Sequence, residues 1–275
     1  MEKFELVERS LITTYRGSIY KKFISAINEY KLINDGDKIA VCISGGKDSF
    51  VLAKCFQELK KHGKDNFDLE FIVMDPGYNK LNREKIIENA KLLNIPIKIF
   101  NSDIFEVTYN LSEGNPCYLC ARMRRGFLYK KAQELGCNKI ALGHHFNDVI
   151  ETIMMGILYN GQIQSMMPKL ISKNFENMEL IRPLYLVKEK DIIAWKNYNN
   201  LEFIACACKF TENNQENNNR HSDSKRLEVK MLINDLKKVN PNVDINIFRS
   251  VYNVNLNTVI EYSKNGKSTN FLDEY

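Results

Sequence analysis

Apolar residues recur at spacings of three and four through Phe4, Val7, Leu11, Tyr15, Ile19, Phe23 and Ile27, with charged residues between them. That period predicts a helix over 3–30. After the turn residues Asn34-Asp35-Gly36-Asp37 the pattern changes. Lys38-Ile39-Ala40-Val41-Cys42-Ile43 is short, apolar and β-branched, the signature of a parallel strand buried on both faces. Helices expected over 47–61, 81–93, 121–135 and 147–158 then alternate with strands at 69–74, 97–100 and 139–142. Such alternation predicts an α/β fold, a doubly wound and mostly parallel sheet with helical additions at both ends. Its ligands belong at the carboxyl ends of the strands.

Beyond about 160 the pattern weakens. A loop-rich stretch reaches Leu180-Ile181-Arg182-Pro183-Leu184, and helices are expected near 188–199, 223–238 and 244–252. The polar run 213–219 reads as a loop, and the tail 264–275 as frayed. The expected organisation is an N-terminal helical segment over 1–35, a nucleotide-binding domain over 36–210, and an Asn-rich loop with C-terminal helices over 211–275.

Composition narrows the classes. The chain has 275 residues, 44% hydrophobic and 27% charged, enough apolar mass for a core and far from a disordered or collagenous chain. No apolar run approaches the roughly 18 residues that span a bilayer, and the first residues do not resemble a signal peptide. A cytoplasmic protein is expected. Lys+Arg minus Asp+Glu is 39 − 34, a net charge of +5, which suits a polyanionic partner without requiring one. Seven cysteines, an odd number in a reducing compartment, argue against a disulfide framework and for metal ligation or catalysis.

The most informative segment is Ser44-Gly45-Gly46-Lys47-Asp48-Ser49, directly after the first strand and opening a helix. The glycines let the backbone turn sharply and approach phosphate oxygens. Main-chain N–H groups at the helix start then bind the anion, with Lys47 and the serines as further donors. Neither the Walker nor the Rossmann spacing is present; the hexapeptide looks like the pyrophosphate loop of enzymes that split ATP between the α and β phosphates. Two further segments fall at strand ends. Val73-Met74-Asp75 offers backbone groups for adenine and Asp75 for ribose. Gly143-His144-His145-Phe146-Asn147-Asp148 offers Asp148 for Mg2+. Alone, His144 reads as a packed loop histidine; beside the loop at 44–49 it reads as part of the site.

Pro116-Cys117-Tyr118-Leu119-Cys120 is a Cys-x-x-Cys, open to zinc, redox and iron–sulfur readings. A third thiolate is available from Cys206-Ala207-Cys208, and three protein thiolates leave one coordination position for an exogenous ligand. Cys42, Cys55 and Cys137 lie inside predicted elements and read as core residues. Arg124, one turn after Cys120, reaches toward the same cleft. Basic residues also gather on the terminal helices, at Arg9, Arg16, Lys21 and Lys22 and again at Lys225, Arg226, Lys230, Lys237 and Lys238, as candidate RNA contacts.

The loop at 44–49, the Cys-x-x-Cys segment running on to Ala121-Arg122-Met123-Arg124-Arg125-Gly126, the segment 141–152 and Ile181-Arg182-Pro183-Leu184 together resemble the tRNA 2-thiocytidine biosynthesis (TtcA-type) sulfurtransferases. The likeness covers roughly residues 15–255 and extends more loosely to the iron–sulfur tRNA 2-thiouridine synthetases. It implies a pyrophosphate-loop ATPase (HUP-like) fold, a homodimer, tRNA as substrate, and a [4Fe-4S] cluster on three cysteines. The residues implied for ATP are Ser44, Gly45, Gly46, Lys47, Asp48 and Ser49. Those implied for the cluster are Cys117, Cys120 and, by alignment on Phe203-Ile204, Cys206 in preference to Cys208. Positions matching Arg124, Gly143 and Asp148 line the nucleotide in the uridine enzymes. The implied chemistry is adenylation of a pyrimidine C2 oxygen by ATP–Mg2+, then sulfur transfer by way of the cluster. The sulfur donor would be free sulfide or a cysteine desulfurase. The alternatives are 2-thiouridine synthesis by the same route, a pyrophosphate-loop ligase, or a zinc-stabilised nucleotide-binding adaptor without catalysis.

Overall fold

Along β1 (Lys38–Ile43), Ile39, Val41 and Ile43 enter one apolar cluster while Ala40 and Cys42 enter another. A strand buried on both faces needs a helical layer on each side. The computed structural model supplies both, and it describes residues 1–63, 66–105, 116–204 and 225–273, with side chains for all of these except 116–118.

The remaining elements of the sheet follow in alternation. They are α3 (Lys47–His62), β2 (Asp68–Asp75), α4 (Lys80–Leu92), β3 (Ile97–Asn101), α5 (Pro116–Glu134), β4 (Lys139–Ala141) and α6 (Phe146–Asn160), then β5 (Lys169–Ile171), β6 (Glu179–Ile181) and α7 (Glu189–Tyr198). The sheet runs β3-β2-β1-β4-β6-β5, parallel throughout except for the β5–β6 pair. β1 aligns with β2 from Lys38↔Asp68 to Ile43↔Val73, and with β4 from Ile39↔Lys139 to Val41↔Ala141. The chain leaves β1 on one side and returns to β4 on the other, so the carboxyl ends of these two strands frame the topological switch point, where open α/β sheets bind ligands.

The N-terminal helices belong to this sheet's core. α1 (Lys3–Ile12) and α2 (Lys21–Tyr30) send Val7, Leu11, Phe23 and Ile27 into the cluster that holds Phe50, Phe56 and Trp195. The Phe23 and Phe56 rings meet edge to face at 5.3 Å. Buried Lys54 on α3 ties α1 down through Glu8 Oε1 (2.6 Å), and its ammonium also donates to Gln57 Oε1 (2.8 Å) and the Leu93 carbonyl (2.9 Å). The helix expected over 3–30 is therefore two helices. The Thr13 hydroxyl turns back on the Arg9 carbonyl (2.7 Å), and a π-helical turn, Arg16–Tyr20, bridges the break.

The chain divides into two units, Met1–Val149 with Met167–Asp223, and Ile150–Met166 with Ser224–Tyr275. α1 and α2, expected as a separate segment over 1–35, pack inside the first unit. In the second unit, α8 (Lys225–Val239) and α9 (Val243–Ser250) bury Val229, Ile233 and Phe248, with Lys237 paired to Asp244 at 3.0 Å. The tail expected to fray instead forms a hairpin, β7 (Glu261–Lys264) and β8 (Lys267–Asn270). Its turn is Asn265-Gly266, both at positive φ, the two-residue turn whose twist suits a hairpin. Among the described residues no helix is long and apolar enough to cross a membrane.

Candidate active site

Between β1 and α3 the chain turns through Ser44, Gly45 and Gly46. Gly45 has φ +90°, and a Cβ there would fall 2.8 Å from the Ile86 side chain, so both conformation and space demand glycine. Ser49 Oγ donates to the Gly46 carbonyl (2.8 Å) and Ser44 Oγ to Ser49 Oγ (3.4 Å), which holds the loop against the first turn of α3. No side chain caps α3. Its leading N–H groups and the positive end of the helix dipole thus face the crevice, as anion binding requires. Gly143, after β4, passes so close to the loop that a Cβ would meet the Asp48 carbonyl and Ser49 nitrogen at 3.1 Å.

A cleft of about 370 Å³ opens over this junction. Ser44, Asp48 and Ser49 line it from the phosphate loop, Gly143, His144 and Asp148 from the far strand, and Arg124 and Arg125 from α5. Cys42, Met74, Leu128 and Leu142 give it an apolar floor. Other expected site residues take structural positions around it. Val73 is buried in β2, and its neighbour Met74 takes the cleft-facing place, as strand alternation dictates. Asp75 is buried, its Oδ1 accepting from the N–H groups of Gly77 (3.0 Å) and Tyr78 (2.7 Å) and its Oδ2 from Arg83 Nε (3.1 Å). That carboxylate braces the turn after β2. Lys47 reaches Asp48 Oδ2 (3.2 Å) and Glu189 Oε1 (3.3 Å). Burial alone would lower its pKa, but the two carboxylates raise it above the ordinary lysine value.

His145, which the motif reading passed over, joins the two acidic residues. It is buried, with Nε2 3.8 Å from Asp48 Oδ1 and Nδ1 3.1 Å from Asp148 Oδ2. Its main-chain N–H also donates to Asp148 Oδ2 at 2.9 Å. His144, by contrast, accepts from Arg182 Nε at 3.3 Å. Arg182, in the Ile-Arg-Pro-Leu segment, is buried and also donates to the Met167 carbonyl. Burial, and then the nearby Arg125 charge, push its pKa down to about 10. Across the cleft Arg124 Nη2 contacts Tyr78 Oη (3.5 Å), which donates to the Ser44 carbonyl (3.4 Å). The signal for His145 was present in its doublet with His144, but only the packing tells the two apart.

All four cysteines with described side chains, Cys42, Cys55, Cys120 and Cys137, are buried. Burial raises the thiol pKa values of Cys42, Cys55 and Cys137, that of Cys137 to about 11. Thiols held protonated in this way are poor ligands and nucleophiles. Cys120 lies on α5 in a cluster with Met74, Ile104 and Phe105. Cys117 stands in the first turn of the same helix, three residues before it. Its side chain, Cys206 and Cys208 lie outside the described residues.

The C-terminal basic residues prove largely engaged within their own unit. Arg226 pairs with Glu151 (3.5 Å), Lys238 with Asp235 (2.7 Å) and Lys237 with Asp244, while Lys225 lies over the Tyr159 ring.

Comparison with known proteins agrees with this geometry. The PP-loop domain family matches residues 18–225. A tRNA-cytidine(32) 2-sulfurtransferase from Coxiella burnetii is 37% identical over 242 residues, 86% of this chain and 90% of that protein. The tRNA-cytidine(32) 2-sulfurtransferase 1 of Francisella philomiragia is 41% identical over 235 residues, 83% of this chain and 86% of its own length. Among solved structures, the U34-tRNA thiolase NcsA from Methanococcus maripaludis with its [4Fe-4S] cluster superposes with a TM-score of 0.66. The match covers 84% of this chain and 76% of that one at 24% identity, a likeness of fold. With the uncapped loop, the switch-point cleft and the paired aspartates in place, the chain belongs to the PP-loop domain family and, within it, to the family of the tRNA-cytidine(32) 2-sulfurtransferases.

Proposed function

We propose that this chain is an ATP-dependent tRNA thiolase that exchanges the C2 oxygen of a cytidine for sulfur. The observation that carries the reading is one cleft shared by a phosphate loop, two aspartates held on one imidazole, and arginines of the helix that bears Cys117 and Cys120. Relatives 37% and 41% identical, named for cytidine in tRNA, support the choice of base.

The pocket suits ATP. Phosphates fit the uncapped start of α3, where Gly45 and Gly143 keep side chains out of the way. A hard divalent cation such as Mg2+ suits Asp48 and Asp148. Asp48 Oδ1 is buried with no hydrogen-bond partner, an unsatisfied acceptor that a cation can coordinate. Arg124 and Arg125 face the same space and offset the charge that grows on the α-phosphate during attack. In the first step the base oxygen forms a bond to the α-phosphorus and pyrophosphate leaves. In the second, hydrosulfide forms a bond to C2, the C–O bond breaks, and AMP departs with the oxygen. The exchange is redox-neutral.

The thiolates fit an iron–sulfur group in kind. Cys117 and Cys120 stand three residues apart near the start of α5. Ile204, two residues before Cys206, borders Gly45 of the phosphate loop. Cys117, Cys120 and Cys206 would hold a [4Fe-4S] cluster, which when bound presents sulfide to an electrophile. The same proposal includes a homodimer, a cytoplasmic setting, and free sulfide or a cysteine desulfurase as donor.

The test is to incubate the reconstituted protein with ATP, Mg2+, sulfide and unmodified tRNA, then digest to nucleosides for mass spectrometry. The expected product is 2-thiocytidine. Appearance of 2-thiouridine would overturn the base assignment, and absence of any thiolated nucleoside would overturn the tRNA reading.

A further inference from the structure

A second cavity, of about 400 Å³, opens beside the ATP cleft on the flank of α5. Arg122, Arg125 and Gly126 line it from the helix, and Ser172, Asn174 and Phe175 from the turn between β5 and β6. Ala121 and Arg125, one helical turn apart, line both cavities, so the two spaces meet across a single ridge of α5.

Charge and shape at this cavity point to the same occupant. Arg122, Arg124 and Arg125 have no carboxylate within 4 Å among the described residues, whereas Arg83 and Arg226 are ion-paired. Arg122 and Arg125, three residues apart, share a helix face, and a guanidinium pair matches the geometry of a phosphate. The ring of Phe175 stacks on buried Tyr129 at 5.0 Å and 14°, so the aromatic wall is held rigidly. Gly126 lies in the interior of α5, where glycine costs about 1 kcal/mol relative to alanine. A Cβ there would meet nothing within 4 Å, so packing inside the chain does not call for glycine. Arginines beside an aromatic wall, with open room above a helix backbone, are what an unstacked nucleotide of RNA needs.

We propose that this cavity seats a nucleotide flanking the target base of the RNA, its phosphate on Arg122 and Arg125 and its base over Gly126 against Phe175. The inference rests on the tRNA reading above and adds the path of the strand, which crosses the Ala121–Arg125 ridge as the target base enters the ATP cleft. Arg125, common to both spaces, positions the backbone at the crossing.

Binding of the full chain to unmodified tRNA, measured by fluorescence anisotropy at several salt concentrations, tests this alongside calorimetry with ATP–Mg2+. Arg122→Glu should weaken tRNA about tenfold and reduce the salt slope by about one. Gly126→Leu fills the cavity while improving helix propensity, and should weaken tRNA several-fold with the salt slope unchanged. Both variants should bind ATP as wild type does. Wild-type tRNA affinity in both overturns this inference alone. Loss confined to Arg122→Glu overturns the nucleotide seat, because only surface charge would then matter. A wild-type chain that neither binds nor thiolates tRNA overturns the functional reading and this inference together.

Discussion

His145 Nε2 stands 3.8 Å from Asp48 Oδ1, while the other ring nitrogen of the same imidazole lies 3.1 Å from Asp148 Oδ2. One buried ring thus spaces a carboxylate of the phosphate loop from a carboxylate that follows β4. His145→Ala should leave the fold intact and raise the Mg2+ concentration needed for ATP binding by about tenfold, through loss of that spacing. His145→Gln, which can return a donor, should recover part of it. Asp48→Ala should abolish the Mg2+ dependence altogether. Calorimetric ATP titrations across a Mg2+ series check all three, and an unchanged Mg2+ requirement in His145→Ala would refute the positioning role.

Gly143→Ala tests the close approach of the two strand ends. Its Cβ would stand 3.1 Å from the Asp48 carbonyl and the Ser49 nitrogen, neither of which yields without moving the phosphate loop. Overpacking of this kind costs about 1–3 kcal/mol. The expected outcome is a lowered melting temperature with ATP affinity reduced more than tRNA affinity.

The Glu8–Lys54 pair predicts a pH dependence of stability. Burial pushes the Glu8 pKa up, but the Lys54 and Lys61 ammonium groups outweigh it and the net shift is downward. For Lys54 itself burial wins and lowers its pKa. Glu8 is bonded to both ammonium groups, at 2.6 Å to Lys54 and 2.5 Å to Lys61. A depressed carboxylate contributes stability above its unfolded pKa and loses it as pH falls through the folded value. Chemical denaturation from pH 7 downward should therefore show loss beginning below about pH 4.5. Glu8→Gln should lower stability at pH 7 by on the order of 3 kcal/mol, because Lys54 stays buried without its counter-charge, and should weaken the acid dependence.

Cys117→Ala and Cys120→Ala should each lose iron after anaerobic reconstitution while remaining folded, since both lie near the start of α5 and the small cluster of Cys120 with Met74, Ile104 and Phe105 loses only one sulfur atom. Cys208→Ala should retain more iron than Cys206→Ala. Iron analysis with absorbance spectroscopy reads both comparisons. Undiminished iron in Cys117→Ala and Cys120→Ala together would remove them from the ligand set.

Local chemistry made the phosphate loop legible in the chain, because Gly45 and Gly46 encode a turn that few other residues can form. The alternation of buried β-branched runs with helical periods likewise determined the α/β class and the parallel strands. Asn265-Gly266 carried the hairpin signal too, in a segment otherwise polar enough to read as a tail. Tertiary structure alone decided which polar groups converge. His145 rather than His144 joins the aspartates, because the order of β4 beside β1 brings residue 145 against the turn that opens α3. Asp75 turns inward to the chain's own N–H groups, and Arg182 reaches His144 only because β6 pairs with β4. The cavity at Arg122 and Gly126 likewise depends on Phe175, nearly fifty residues further on, which the β5–β6 turn carries back to α5. Periodicity reports which face of an element is buried, but not which element covers it. That choice follows from strand order, a property of contacts distant in sequence.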